Sequence, residues 1–289
     1  MHSLPALVVA LSTLCTGCSV FRTSISPSTE HTSPPDLESF DHSELDRVLR
    51  RFVDENGTVN YQELKKDPAD LERYCRKLVA FSPDSHPDLF SSDDEKLAYW
   101  INAYNASAIL VVLNYYPIES VRDVRPPWPL RWLPSLSGFF VFQGLTFGGR
   151  ETSLYYLENR VLRERFRDSR IHFALNCASS SCPRLPRFAF RGEELDSQLD
   201  REARRFCGET RNVRIEDETR TIVLSSIFEW YEGDFVQDLG SRTEEKGKLL
   251  DAISEYLPER IATQIARVRG EYSLVYEPYD WSLNDSHSR

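Results

Sequence analysis

Three side chains that could do chemistry, His172, Cys177 and Cys182, sit in one short stretch, RIHFALNCASSSCPRLP, from Arg170 to Pro186. Thiolates are strong nucleophiles, and an imidazole nearby is the usual base that activates them. Three readings of the trio stand open. Cys177 is a nucleophile with His172 as its base and backbone N–H groups as an oxyanion hole. Alternatively the three are soft metal ligands, although their equal spacing is not a usual zinc pattern and a fourth ligand would have to come from far away. In the third reading Cys177 pairs with Cys182 or another cysteine, and His172 is a hydrogen-bonded core histidine.

These residues need elements to hold them. Ile171, Phe173 and Leu175 alternate with His172 and Ala174, which predicts a strand. Asn176 to Pro183 is small and polar, the composition of a loop at its end, where a rigid scaffold can present side chains. Ahead of it, LAYWINAYNASAILVVLNYY predicts a helix over 96–113 that is apolar nearly all round and therefore central. Ser91 to Glu95 should cap it, with acidic groups at the positive end of the helix dipole. Asn102 and Asn105 interrupt its apolar surface. Buried amides require partners, so they either tie helix to loop or contact an oxyanion or substrate. Residues 152–166 predict a further helix, with Glu158 and Asn159 among its inward residues. The cluster Arg160, Arg163, Arg165, Arg167 and Arg170 reads as a solvated, ion-paired face, with recognition of an anionic group as the alternative.

The remaining elements follow from pattern. Leu45, Val48, Leu49 and Phe52 predict a helix, and 67–81 another. Asp54 to Leu64 resembles part of a calcium loop but has Phe52 at the first ligand position, so an Asn-Gly turn opening a short helix is preferred. Arg125 to Pro134, with Trp128 and Trp132, cannot be regular structure because proline lacks a donor. It either covers core or forms a lid or a membrane contact. Phe139 to Phe147 reads as a strand or hairpin closing at Gly148-Gly149, and Gly192 to Cys207 as a helix. Val213 to Leu224 reads as a hairpin and 246–269 as helices broken at Pro258. A final strand precedes an aromatic turn around Tyr279 and Trp281 that should dock on the domain. The fold class is α+β, a mostly helical single domain around a small sheet.

The 289 residues suffice for a sizeable core. A net charge of -10 argues against a nucleic-acid partner, and without a phosphate-cradling glycine loop no nucleotide or other cofactor is expected. Leu4 to Leu14 is apolar but too short to span a bilayer, and it ends at Thr16-Gly17-Cys18. That resembles a bacterial lipoprotein cleavage box, although the n-region has no Lys or Arg and Cys15 stands where Leu is usual. Residues 1–17 are thus expected to be a signal peptide, Cys18 a lipid anchor and 18–36 a Ser/Thr/Pro-rich tether. Residues 37–289 would be one exported domain, facing the periplasm from the outer membrane. In an oxidising compartment Cys75, Cys177, Cys182 and Cys207 allow disulfides.

Five stretches in order, KLAYWINAYNA, LENRVLR, IHFALNCASSSCPRL, LSSIFEWY with its following DF, and YDWSLND, resemble the motifs of the domain-of-unknown-function 547 family. The residues matching those motifs are Asn102, Asn105, Glu158, Arg163, His172, Cys177, Asp234, Asp280 and Asn284. The resemblance implies no activity. Plant members have Ser at the position of Cys182, which implies that Cys177 is the meaningful thiol and weighs against an obligatory Cys177–Cys182 bridge. Together these readings suggest a cysteine-dependent hydrolase or acyl transferase of the cell envelope. Cys177 would attack, His172 would be the base, Glu158 or Asp280 would orient the imidazole, and Asn102, Asn105 and Arg163 would contact oxyanion or substrate. The rival is a non-catalytic envelope module binding a small molecule or peptide.

Overall fold

The computed structural model describes residues 23–24, 38–242 and 248–287, with only the backbone given for 239–242. The signal segment and Cys18 lie outside the described residues, as does the tether apart from Thr23 and Ser24.

One buried helix runs through the larger of two hydrophobic clusters. In chain order, β1 (Thr23–Ser24) precedes α1 (Ser43–Phe52), α2 (Tyr61–Lys66), α3 (Ala69–Ala80) and α4 (Asp93–Tyr115). Every residue of α4 from Leu97 to Leu113 is buried, as its all-round apolar sequence demands. Ser92 caps it, its hydroxyl accepting from the Glu95 N–H at 3.1 Å. In α1 the buried residues are Leu45, Val48, Leu49 and Phe52, the predicted face.

Between α1 and α2 the chain makes the Asn-Gly turn. Asp54 accepts from the N–H groups of Asn56 and Thr58, both at 2.9 Å. Gly57 has φ +76, and a Cβ there would stand 2.6 Å from that of Arg184, so both conformation and space demand glycine. Asn60 then caps α2 by accepting from the Glu63 N–H.

Past α4, the Pro-rich segment carries Trp128 and Trp132 at 80% and 79% exposure. It covers the core only through smaller residues such as Pro126 and Leu133. A short helix α5 (Leu136–Phe140) leads to β2 (Gln143–Phe147) and β3 (Arg150–Thr152), an antiparallel hairpin turning at the two predicted glycines. Thr23–Ser24 lies parallel to Gln143–Gly144 and completes a three-stranded sheet.

The helix over 154–166, α6, is continuous but not uniform, since Leu157–Leu162 winds in π geometry between two α segments. Next comes α7 (Ile171–Ala174), where a strand was expected. The alternation misled because residues 171–176 are buried on every side, so His172 is as deep as its apolar neighbours. A fully buried run this short has no face to show, and periodicity cannot tell strand from helical turn.

The second half supplies α8 (Leu195–Gly208), β4 (Val213–Glu216), β5 (Thr221–Ser225), α9 (Ser226–Trp230), α10 (Glu232–Arg242), α11 (Leu249–Ile253), α12 (Glu259–Val268) and β6 (Ser273–Glu277). β4 and β5 pair as the expected hairpin, and β6 joins β5 in parallel. The C-terminal residues dock, with bridges from Ser282, Leu283 and Asp285 to Ser120, Ser179 and Val59. The molecule is mostly helical with two small sheets, an α+β fold as expected. Among the described residues no helix is long and apolar enough to cross a membrane.

One buried titratable group ties the core to pH. His42 lies against Phe40 and its Nδ1 is 2.8 Å from the Tyr74 hydroxyl. Burial first, then the positive charges of Lys77 and Arg191, push its pKa down to about 3. The unfolded imidazole titrates near pH 6.5. Stability from the neutral buried ring is therefore complete above about pH 6.5 and is lost progressively as pH falls toward about 3. Urea unfolding at pH 5 should show a loss of about 2 kcal/mol relative to pH 7.5, and His42→Gln should lack that component. Equal losses in both proteins would show that His42 is not the group responsible.

Candidate functional site

Cys177 follows α7 in the polar loop, and its sulfur is bonded to Cys182. This corrects both the free-thiol nucleophile and the weighting against a bridge, and it removes the two thiolates a metal site would need. Of the readings left open for the two cysteines, it selects the disulfide. The loop is held independently of that bond. The Asn176 side chain donates to Pro183 O at 2.8 Å and accepts from the Ala178 N–H at 2.9 Å. Arg211 donates to the carbonyls of Ser180 and Cys182. Ala178 sits at φ 65, a left-handed conformation that costs a non-glycine residue about 1 kcal/mol.

His172 does not approach Cys177 within hydrogen-bond distance. Its Nε2 is 2.8 Å from the Asp234 carboxylate, and its ring stacks on Tyr231 with centroids 3.8 Å apart. Asp234 also receives two hydrogen bonds from Arg163, at 2.6 and 3.0 Å. Burial would raise the Asp234 carboxyl, but the hydrogen bonds from His172 and Arg163 outweigh it and hold the group well below the usual carboxylate range. The orienting acid is thus Asp234, not Glu158 or Asp280. Asp280 is exposed, and its carboxylate accepts from the Ser282 N–H.

Glu158 has a different task. It is buried, and its two oxygens accept from the Tyr104 hydroxyl at 3.1 Å and the Tyr231 hydroxyl at 2.5 Å. Burial, followed by the charge of Glu158, pushes both phenols well above their ordinary range, so both stay neutral donors. No cation lies within ion-pair distance of Glu158 among the ion pairs of the described residues. The π segment of α6 places Glu158 and Asn159 on the same side as Arg163, whose guanidinium also donates to Asn159 at 2.6 Å.

These groups converge on a pocket of about 120 Å³. Phe140, Tyr155, Trp230, Tyr231, Tyr279 and Trp281 give it an aromatic wall, while Glu158, Arg163, His172 and the two bonded sulfurs supply its polar features. That size suits one six-membered ring or a short branched chain. The aromatic wall escaped the sequence reading except for its last turn. The one hint was that Trp230-Tyr231 and Tyr279-Asp280-Trp281 both concentrate rings beside acids.

The order of these residues along the chain, from Tyr104 through Glu158 and His172 to Cys177, is that of the sequence motifs. A family model described as a protein of unknown function, DUF547, matches residues 88–207. Comparison with curated proteins and with solved structures finds no match. The matched residues contribute α4, α6, α7 and the cysteine loop to the pocket. Tyr231 and the Tyr279–Trp281 turn reach it from beyond the matched residues.

Two candidates within the matched residues fall elsewhere. Asn102 donates to Phe190 O at 2.8 Å and accepts from the Phe190 N–H at 2.9 Å. Asn105 makes the same double contact with Ala174 O and the Asn176 N–H, each at 2.9 Å. Both are buried, neither lines the pocket, and the oxyanion role gives way to clamping of backbone. Asn284 is likewise internal, joining Tyr61 and Asn176. Of the arginine cluster, Arg160, Arg163, Arg165 and Arg170 are ion-paired, and only Arg163 borders the pocket.

Proposed function

We propose that this protein is an exported envelope module that binds a small ligand, or the end of a peptide, in the aromatic pocket beside Glu158. The observation that carries the reading is the pairing of an aromatic wall with a buried carboxylate that has phenol donors but, among the described residues, no ion-pair partner. Aromatic faces and a carboxylate together favour a ring or short alkyl group bearing an amine or ammonium. The hydrolase reading needs Cys177 as a free thiolate within reach of an imidazole. With Cys177 bonded to Cys182 and His172 turned to Asp234, the binding reading is the better supported. Export rests on the apolar run Leu4 to Leu14, and attachment to the membrane on Cys18.

Trp230 and Trp281 report directly on the pocket. Titration with benzylamine should change tryptophan fluorescence with a dissociation constant of about 1 mM, and phenylacetate should bind at least about tenfold more weakly. Glu158→Gln should erase that preference. If neither compound binds at ten times that concentration, or if the preference survives in Glu158→Gln, the proposal fails.

A further inference from the structure

The disulfide is a structural staple in most folds, but here it has features a staple does not require. Both bonded cysteines line the aromatic pocket. Cys177 is partly exposed there, whereas Cys182 is 4% exposed. Three donors surround the buried sulfur. The Cys177 N–H points at Cys182 Sγ from 2.9 Å, the Tyr279 hydroxyl from 3.2 Å and the Ser179 hydroxyl from 3.5 Å. A bonded sulfur is a poor acceptor and gains little from them, whereas a thiolate is a strong acceptor and gains much. Burial pushes the Tyr279 phenol up, outweighing the Ser179 hydrogen bond and the charge of Arg211 that act against it, so its O–H remains a donor. Cys177 Sγ has contacts of its own with Ser179 Oγ at 2.8 Å and Tyr279 Oη at 3.4 Å, but Cys177 is the more exposed of the two residues.

We propose that Cys177–Cys182 is an exchangeable disulfide that oxidises thiols entering the aromatic pocket. An incoming thiolate attacks Cys177 Sγ in line with the bond, forming a mixed disulfide, and the electron pair of the broken bond leaves on Cys182. The three donors hold the resulting thiolate. A second thiol attacks the mixed disulfide, releases the oxidised product and returns Cys177 to the thiol, which Cys182 matches by taking up a proton. Two thiols lose two electrons and the protein bond gains them. A disulfide less oxidising than Cys177–Cys182 cannot restore the bond, so the restoring partner is a more oxidising disulfide.

The loop is built to survive this cycle. Asn176 and Arg211 fix its backbone as described. Further bonds run from Ser180 N to Ser282 O at 2.8 Å and from Asn284 N to Ala178 O at 3.0 Å. None of these depends on the S–S bond, so the two sulfurs stay adjacent when reduced. The other two described cysteines, Cys75 and Cys207, are buried thiols. Burial pushes the Cys75 thiol up to about 12 and the Cys207 thiol higher still, which leaves both unreactive.

The test is equilibration of the purified full chain in glutathione redox buffers, followed by acid quench, alkylation and mass analysis of the peptide holding Cys177 and Cys182. The expected result is reversible conversion between bonded and dithiol forms with an unchanged far-UV circular dichroism spectrum. Cys182→Ser should trap glutathione on Cys177, and Cys177→Ser should trap at least about tenfold less on Cys182. Tyr279→Phe should raise the reduced glutathione needed at the midpoint by about tenfold, because a donor to the leaving thiolate is gone. A bond that yields to glutathione only when the protein is unfolded would overturn the proposal, as would a midpoint unmoved in a folded Tyr279→Phe protein. These results are read on sulfur alone, so they stand or fall separately from amine binding.

Discussion

Replacing Asn105 with Ala should destabilise the protein by about 4 kcal/mol, more than any exposed substitution on the same helix. The side chain sits deep in α4 and satisfies one carbonyl and one N–H, those of Ala174 and Asn176, at either end of the joint between α7 and the cysteine loop. Alanine removes both partners and leaves two buried backbone groups with no water to replace them, each costing about 1–3 kcal/mol. The lost volume adds a smaller penalty. Asn102→Ala should behave alike, since it clamps both polar groups of Phe190. Urea unfolding would register this as a fall in midpoint at constant slope. Arg160→Ala, in an exposed ion pair with Glu164, should change stability by less than about 0.5 kcal/mol. A loss below about 1 kcal/mol in Asn105→Ala would mean that the amide is not serving the backbone and is free for a ligand after all.

That prediction also explains what could be read ahead of the structure. The apolar pattern of α4 specifies a central helix without reference to any partner, so it was legible. The amides on it were visible as anomalies, but their partners lie 69 and 88 positions away, and nothing local distinguishes a backbone clamp from an oxyanion donor. His172 shows the same limit more sharply. Its neighbour in sequence is the cysteine loop, whereas its neighbour in space is Asp234, 62 positions on. The expectation that Glu158 or Asp280 would orient the imidazole chose from the right residue type and missed the right residue, although Asp234 stood among the motif residues. Strand was expected at Ile171–Ala174 for a related reason. Alternation reports a half-buried element, and this element is wholly buried. The two cysteines, five positions apart, fell within reach of local reasoning, and the choice between thiol and disulfide was left to geometry.

Asp234 is where the second large effect is expected. Its carboxylate joins α10 to α6 and α7 by accepting from Arg163 twice and meeting His172 Nε2. Asp234→Ala should cost about 3 kcal/mol, because it strands a guanidinium and an imidazole that were packed to face a charge. The carboxylate keeps 29% of its exposure, so some solvent screens the pair and the figure belongs at the lower end for a broken ion pair. The sign with pH is fixed by the lowered folded-state value. The contribution is present in full above about pH 4, where the unfolded carboxyl is ionised, and is lost as pH falls from there toward the lower folded value. The difference between wild type and Asp234→Ala should therefore be constant from pH 7 to pH 5 and shrink below about pH 4. Asp234→Asn separates charge from shape. It can accept one of the Arg163 bonds but places an amide where an acceptor was, so it should recover less than half of the loss. The variants should also loosen the His172–Tyr231 stack, whose phenol is one of the two donors to Glu158. Benzylamine affinity should consequently weaken in Asp234→Ala, although Asp234 does not line the aromatic pocket. Unchanged affinity together with unchanged stability would show that the pocket is held by its aromatic packing and not by the ion pair behind it.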